Sequence, residues 1–259
     1  MTQHGGSRPA KTLGDACGFP YARAVTAPAQ STSATPEGPP SADVRLARLH
    51  ALVGSVPLLA WGLFHVWEQW AAFDGRLAWL ARMRATSSGL GAVAEVAVGV
   101  LPLALWAGLH VRARVLGERI PGAAREGDDA LGLALGTVAT VATPAALLFL
   151  GWHVGWLWGA RMLGAAPVEL FDAMQRTLGL PWALVLHAFG LAAVAWHLAA
   201  ALPDALEAGG VISSPEALRS ARIVTLTVGL ALFVLTVQLV GWLGTGAGTF
   251  WPITVTPLG

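Results

Sequence analysis

Five stretches of this chain carry almost no charge, and their length decides what the chain can fold into. They run from Leu49 to Trp67, from Ala85 to Val111 with Glu95 as the one interruption, from Ala130 to Ala160, from Thr177 to Pro203, and onward from Arg222. Each approaches or exceeds the roughly 20 apolar residues that cross a hydrocarbon core about 30 Å thick. Short alternating segments that would suggest strands are lacking, and lipid admits little besides helices and closed barrels. Composition agrees, because 55% hydrophobic against 12% charged residues lies well outside soluble globular usage. The expected fold is an all-α integral membrane bundle of five transmembrane helices.

Residues 1–43 are a different material, rich in Ala, Pro, Ser, Thr and Gly and too poor in large apolar residues to form a core. They are expected to be a disordered cytoplasmic tail, followed by a transmembrane domain over 44–248 and a short outer tail over 249–259. The tail lacks the apolar run of a secretory signal. It holds the only cysteine, Cys17, so neither a disulfide framework nor a cysteine metal site is open to the chain. With the N-terminus inside, the inner segments carry eleven Lys and Arg and the outer ones five, Arg76, Arg82, Arg84, Arg161 and Arg176. This asymmetry places the N-terminus in the cytoplasm. A net charge of +1 with no basic stripe gives no reason to expect nucleic acid.

Six of the seven histidines, His50, His65, His110, His153, His187 and His197, fall within or at the edges of the spans. Ionisable groups inside a membrane are scarce and mark function, although a histidine satisfied by a carbonyl or hydroxyl is the plain alternative for each one. Depth sorts them. His65 lies 15 residues beyond His50, roughly 22 Å along a helix, and shares the outer half with His153. His110 and His197 share the inner half. Two histidines from facing helices at one depth are what an iron porphyrin with two axial imidazoles requires, whereas zinc takes four ligands. Gly54 and Gly190, on the faces of His65 and His197, would let a flat macrocycle approach the backbone, or serve helix packing.

Same-helix histidine separations of 15 (His50 to His65) and 10 (His187 to His197) do not suit the cytochrome b of quinol-oxidising complexes. RLHALVGSVP followed by His65, EVAVGVLP, WHV at Trp152 to Val154, and WHL from Trp196 with VISSP downstream instead resemble the diheme cytochrome b anchor of succinate:quinone and fumarate:quinone oxidoreductases, the single five-helix type. The resemblance spans approximately residues 45 to 240. It implies two b-type haems, the outer one on His65 and His153, the inner one on His197 and a helix II residue. The family's fourth ligand falls on Trp106, and the helix offers His110 one turn further on. Use of His110 by a shifted haem, a change of helix register, or an inner site short of a ligand are all open, with His110 favoured.

The resemblance also places His50 and Arg48 near the inner propionates. It places the quinone, menaquinone, near the outer haem, with Trp67, Glu68, Gln69 and Glu95 as candidates; a carboxylate there could supply the protons of quinone reduction. His187 is expected to be a packing or quinone-side residue. Tryptophans 67, 70, 79, 156, 158, 182, 242 and 251 are expected to form an interfacial belt. Ser214 and Pro215 read as the N-cap and first residue of helix V. Implied partners are an iron–sulfur subunit and an FAD flavoprotein on the cytoplasmic side of a bacterial plasma membrane, with the dicarboxylate chemistry on the flavoprotein and pairing of complexes left open. An anchor for a hydrogenase or formate dehydrogenase, and a haem-free transporter or scaffold, are the alternatives.

Overall fold

The computed structural model describes residues 42–86 and 89–246, and among these every regular element is helical. The expected tails lie outside the described residues apart from Ala42 and Asp43. Five spans are long and apolar enough to cross a membrane: Ala42–Asp74, Leu90–Leu116, Ala130–Arg161, Pro181–Ala208 and Pro215–Thr245. The chain is a multi-pass membrane protein, and its exposed large apolar residues, among them Leu101, Val111, Leu148, Val185, Phe189 and Leu230, are what a hydrocarbon solvent demands.

The first span is two helices, α1 (Ala42–Val53) and α2 (Val56–Trp70). Pro57 explains the break, because it has no N–H for the carbonyl of Val53 and its ring crowds that turn. The second span is interrupted too. A short α3 (Arg76–Thr86) precedes α4 (Leu90–Ala94), a π-helical segment (Glu95–Val100) and α5 (Leu101–Leu116); Pro102 follows the π segment, which absorbs its missing donor. The remaining helices are α6 (Ala130–Met162), α7 (Pro167–Leu178), α8 (Pro181–Ala208) and α9 (Pro215–Thr245). Asp129 caps α6 and Ser214 caps α9, each accepting a backbone N–H three residues on, with Pro215 at the first helical position.

Prolines inside the spans free carbonyls that lipid cannot satisfy, and side chains of neighbouring helices answer them. Pro144 in α6 releases the carbonyl of Thr140, which accepts from Arg114 of α5 at 2.8 Å. Pro203 in α8 releases that of Ala199, which accepts from the Thr225 hydroxyl of α9 at 2.9 Å. Small residues bring α8 and α9 together: a Cβ on Gly229 would lie 2.9 Å from the carbonyl oxygen of Ala195.

The two ends of the bundle are closed differently. At one end α3 and α7, which charge counting treats as plain loop, pack as amphipathic helices. Trp79, Leu80 and Met83 meet Leu170, Phe171 and Met174 and the end of α9 at Leu239 and Leu243, with Arg76 and Asp172 paired at 3.0 Å. At the other end the 117–129 loop is tied down by charge. Asp204, buried, accepts from Arg119, Arg125 and the backbone N–H of Gly122. Arg222 of α9 reaches Asp128 at 2.6 Å.

Burial pushes the Asp128 carboxyl up, but hydrogen bonds from Arg222 and the backbone of Arg125 outweigh it and hold the group below its ordinary value. A depressed carboxyl contributes stability that is complete above the unfolded pKa and disappears as pH falls through the folded one. The thermal midpoint of the detergent-solubilised protein should therefore fall as the pH drops below about 4. Asp128→Asn should lower it at neutral pH and flatten that acid limb.

Candidate functional site

The outer pair expected from the sequence comes together. His65 of α2 and His153 of α6 stand with ring centroids 6.0 Å apart and planes at 83°, and both line a cavity with about 910 Å³ of empty space, part of it open at the rim. Leu191 and Val194 of α8, Met174 of α7 and Val240 of α9 complete its apolar wall.

The two histidines are held by the same device. Trp61 lies one turn before His65 and stacks on it at 5.1 Å and 14°, and Phe149 lies one turn before His153 and stacks at 5.4 Å and 20°. Each aromatic is received by a glycine of a neighbouring helix. A Cβ on Gly99 would lie 2.6 Å from the Trp61 ring, and one on Gly190 would lie 2.2 Å from that of Phe149. The i−4 aromatics were visible in the sequence as same-face neighbours; their glycine seats belong to other helices and were not.

The donor set suits an axial pair. Two imidazoles 6.0 Å apart between centroids would leave room for one metal-centred cofactor between them. His153 Nδ1 is buried without a hydrogen-bond partner, and His65 Nδ1 lies 3.7 Å from the Glu68 carboxylate, the kind of partner that orients a ligating imidazole. Among the described residues no three His, Cys, Asp or Glu side chains are placed to hold a bare metal ion. His187 joins the cluster, with its ring 5.5 Å from that of His153, and its Nδ1–H donates to the carbonyl of Ala183.

The inner pair does not form as expected. His197 meets Trp106, at 4.4 Å between centroids, and the ring beside His110 is that of His50, at 5.9 Å. Both His197 nitrogens are engaged. Nε2 lies 2.9 Å from the Gly54 carbonyl oxygen, which can only accept, so the proton sits on Nε2; Nδ1 then accepts from the Thr143 hydroxyl at 3.0 Å. Gly54 makes room for Trp106, whose Nε1 would lie 2.6 Å from a Cβ there. Gly54 and Gly190 thus serve aromatic side chains of this chain and not a macrocycle. Arg48 is exposed on a groove with Arg119 and Asp204.

The quinone candidates divide. Glu68, Gln69 and Glu95 line a second, smaller cavity that also touches His65 and His153. Glu68 accepts from the Thr86 hydroxyl, and Gln69 accepts from Trp79 Nε1 at 2.7 Å, so Trp79 is buried and not part of an interfacial belt. Glu95 is bound through both oxygens by Arg161, at 2.7 and 2.9 Å, a partner that the sequence leaves in the loop charge count. Trp67 is 52% exposed and lies under the Arg82 guanidinium, outside this cavity.

No family model matches the chain, and no curated protein or solved structure does.

His197 ties three spans, so its loss should be costly. His197→Ala should lower stability by about 3 kcal/mol, since it removes a buried ring and leaves the Gly54 carbonyl and Thr143 unanswered. Thr143→Val should cost about 1 kcal/mol. Thermal unfolding in detergent checks the order; equal losses in the two variants would mean that the Thr143 contact carries the whole contribution of His197.

Proposed function

We propose that the chain is a haem-bearing membrane anchor that relays electrons between an iron–sulfur subunit and a membrane quinone. The carrying observation is the His65–His153 pair at 6.0 Å across a cavity that both rings line. His65 and His153 would hold a haem through two imidazoles, and such a haem would pass single electrons and leave no position for oxygen. His65 and His153 are the ligands in this reading; Trp61 and Phe149 fix their ring planes, and the apolar wall keeps water from the group. Of the other close pair, His153 and His187 at 5.5 Å, His187 donates its Nδ1–H to the Ala183 carbonyl of its own helix. His187 is a neighbour of the site.

The resemblance noted above extends the reading. The anchor belongs to a succinate:quinone or quinol:fumarate oxidoreductase of a bacterial plasma membrane, with a cytoplasmic N-terminus. The 117–129 face then receives the iron–sulfur subunit that carries the flavoprotein, and the quinone is menaquinone. The second cavity supports a quinone site next to His65. There Arg161 holds Glu95 as a paired anion, which leaves Glu68, with its contacts to Thr86 and His65, as the carboxyl that exchanges protons with the quinone.

Absorbance of the purified chain tests the reading. The expected result is the Soret and α bands of a six-coordinate b-type haem, lost in His65→Ala and in His153→Ala and kept in His187→Ala. A colourless wild-type chain would point to the haem-free transporter or scaffold. Loss in His187→Ala with retention in His153→Ala would reassign the ligand.

A further inference from the structure

We infer that this chain holds one haem and not two, the inner position being closed by Trp106 seated on His197. The inference rests on the proposed reading of the His65–His153 pair. Iron needs a nitrogen lone pair directed into a space wide enough for a porphyrin, and His197 offers neither. Its Nε2 carries the proton given to Gly54, and the lone pair of Nδ1 is taken by Thr143. The volume beside the ring is filled by Trp106, which is 1% exposed and packs with Leu58, Ala146 and Leu198. Gly54 leaves the indole just enough space, so the filling is built into two helices at once.

A second pair of rings could take over the role, and the packing argues against it. His50 and His110 stand 5.9 Å apart with planes at 75°, much like His65 and His153, and His50 Nε2 and His110 Nδ1 are buried without partners. Separation alone therefore does not make a site. What distinguishes the outer pair is the shared cavity. His50 and His110 sit on α1 and α5, which pack directly on one another, and the groove that reaches His50 is lined by Leu109 and Arg112 and not by His110. None of the cavities described above is lined by both rings. His110 is instead a neighbour of Arg114, whose Nε lies 3.5 Å from its Nε2.

The inference and the reading beneath it fail differently. Haem per polypeptide is measured by pyridine haemochrome on the purified full-length chain, beside a potentiometric titration of the same sample. One haem and a single redox wave are expected, unchanged in His50→Ala, His110→Ala and His197→Gln, and absent in His65→Ala. Gln at 197 keeps a donor for Gly54, and His110→Ala carries the test if the His197 variant does not fold. Two haems, or one that disappears in His110→Ala or His197→Gln and persists in His65→Ala, would overturn the inference. No haem in any preparation would overturn the proposed function as well.

Discussion

A hydrogen-bonding atom inside a bilayer has no water to turn to, and this constraint organises the bundle. Where Pro144 and Pro203 remove donors, Arg114 and Thr225 supply them from other helices. Where α1 and α2 break, the Gly54 carbonyl at the break accepts from His197. Each repair joins two spans, so the irregular points of the helices are also where the bundle is sewn together. The helices need no attraction between apolar faces, which lipid would satisfy as well, and use small residues and polar ties instead.

The same constraint separates the histidines. His197 has both nitrogens answered and acts as a structural tie among α6, α8 and the break in the first span. His153 has a buried nitrogen with no partner and faces a cavity beside His65. A buried imidazole nitrogen without a partner costs free energy, and His153 places one on the wall of a cavity that His65 also lines. His50 and His110 also carry unpartnered nitrogens, but the groove at His50 is not lined by His110. What sets His65 and His153 apart is that both line one cavity.

Much of this was legible in one sequence. The five spans follow from the charge-poor runs, the α9 cap from Ser214 and Pro215, and the meeting of His65 with His153 from depth counting along helices of known rise. Depth along a helix is a local quantity. Facing is not, since it depends on how each helix is rotated in the bundle, and there the expectation of His110 opposite His197 failed. Trp106 occupies that place because its indole fills the notch at Gly54, a contact 52 residues away in sequence. The roles of α3 and α7 were hidden for a related reason. Their apolar faces at Trp79, Met83, Phe171 and Met174 are short and surrounded by charge, and they read as loop until they pack against each other.

The proposed role needs His65 of α2 and His153 of α6 to hold one haem between them. Low-temperature electron paramagnetic resonance of the oxidised, purified chain tests this most directly, because crossed imidazole planes leave the iron orbitals nearly degenerate. The account predicts a strongly anisotropic low-spin ferric signal, given the 83° between the His65 and His153 rings. A high-spin signal, showing an iron without two imidazoles, or no ferric signal at all would contradict it.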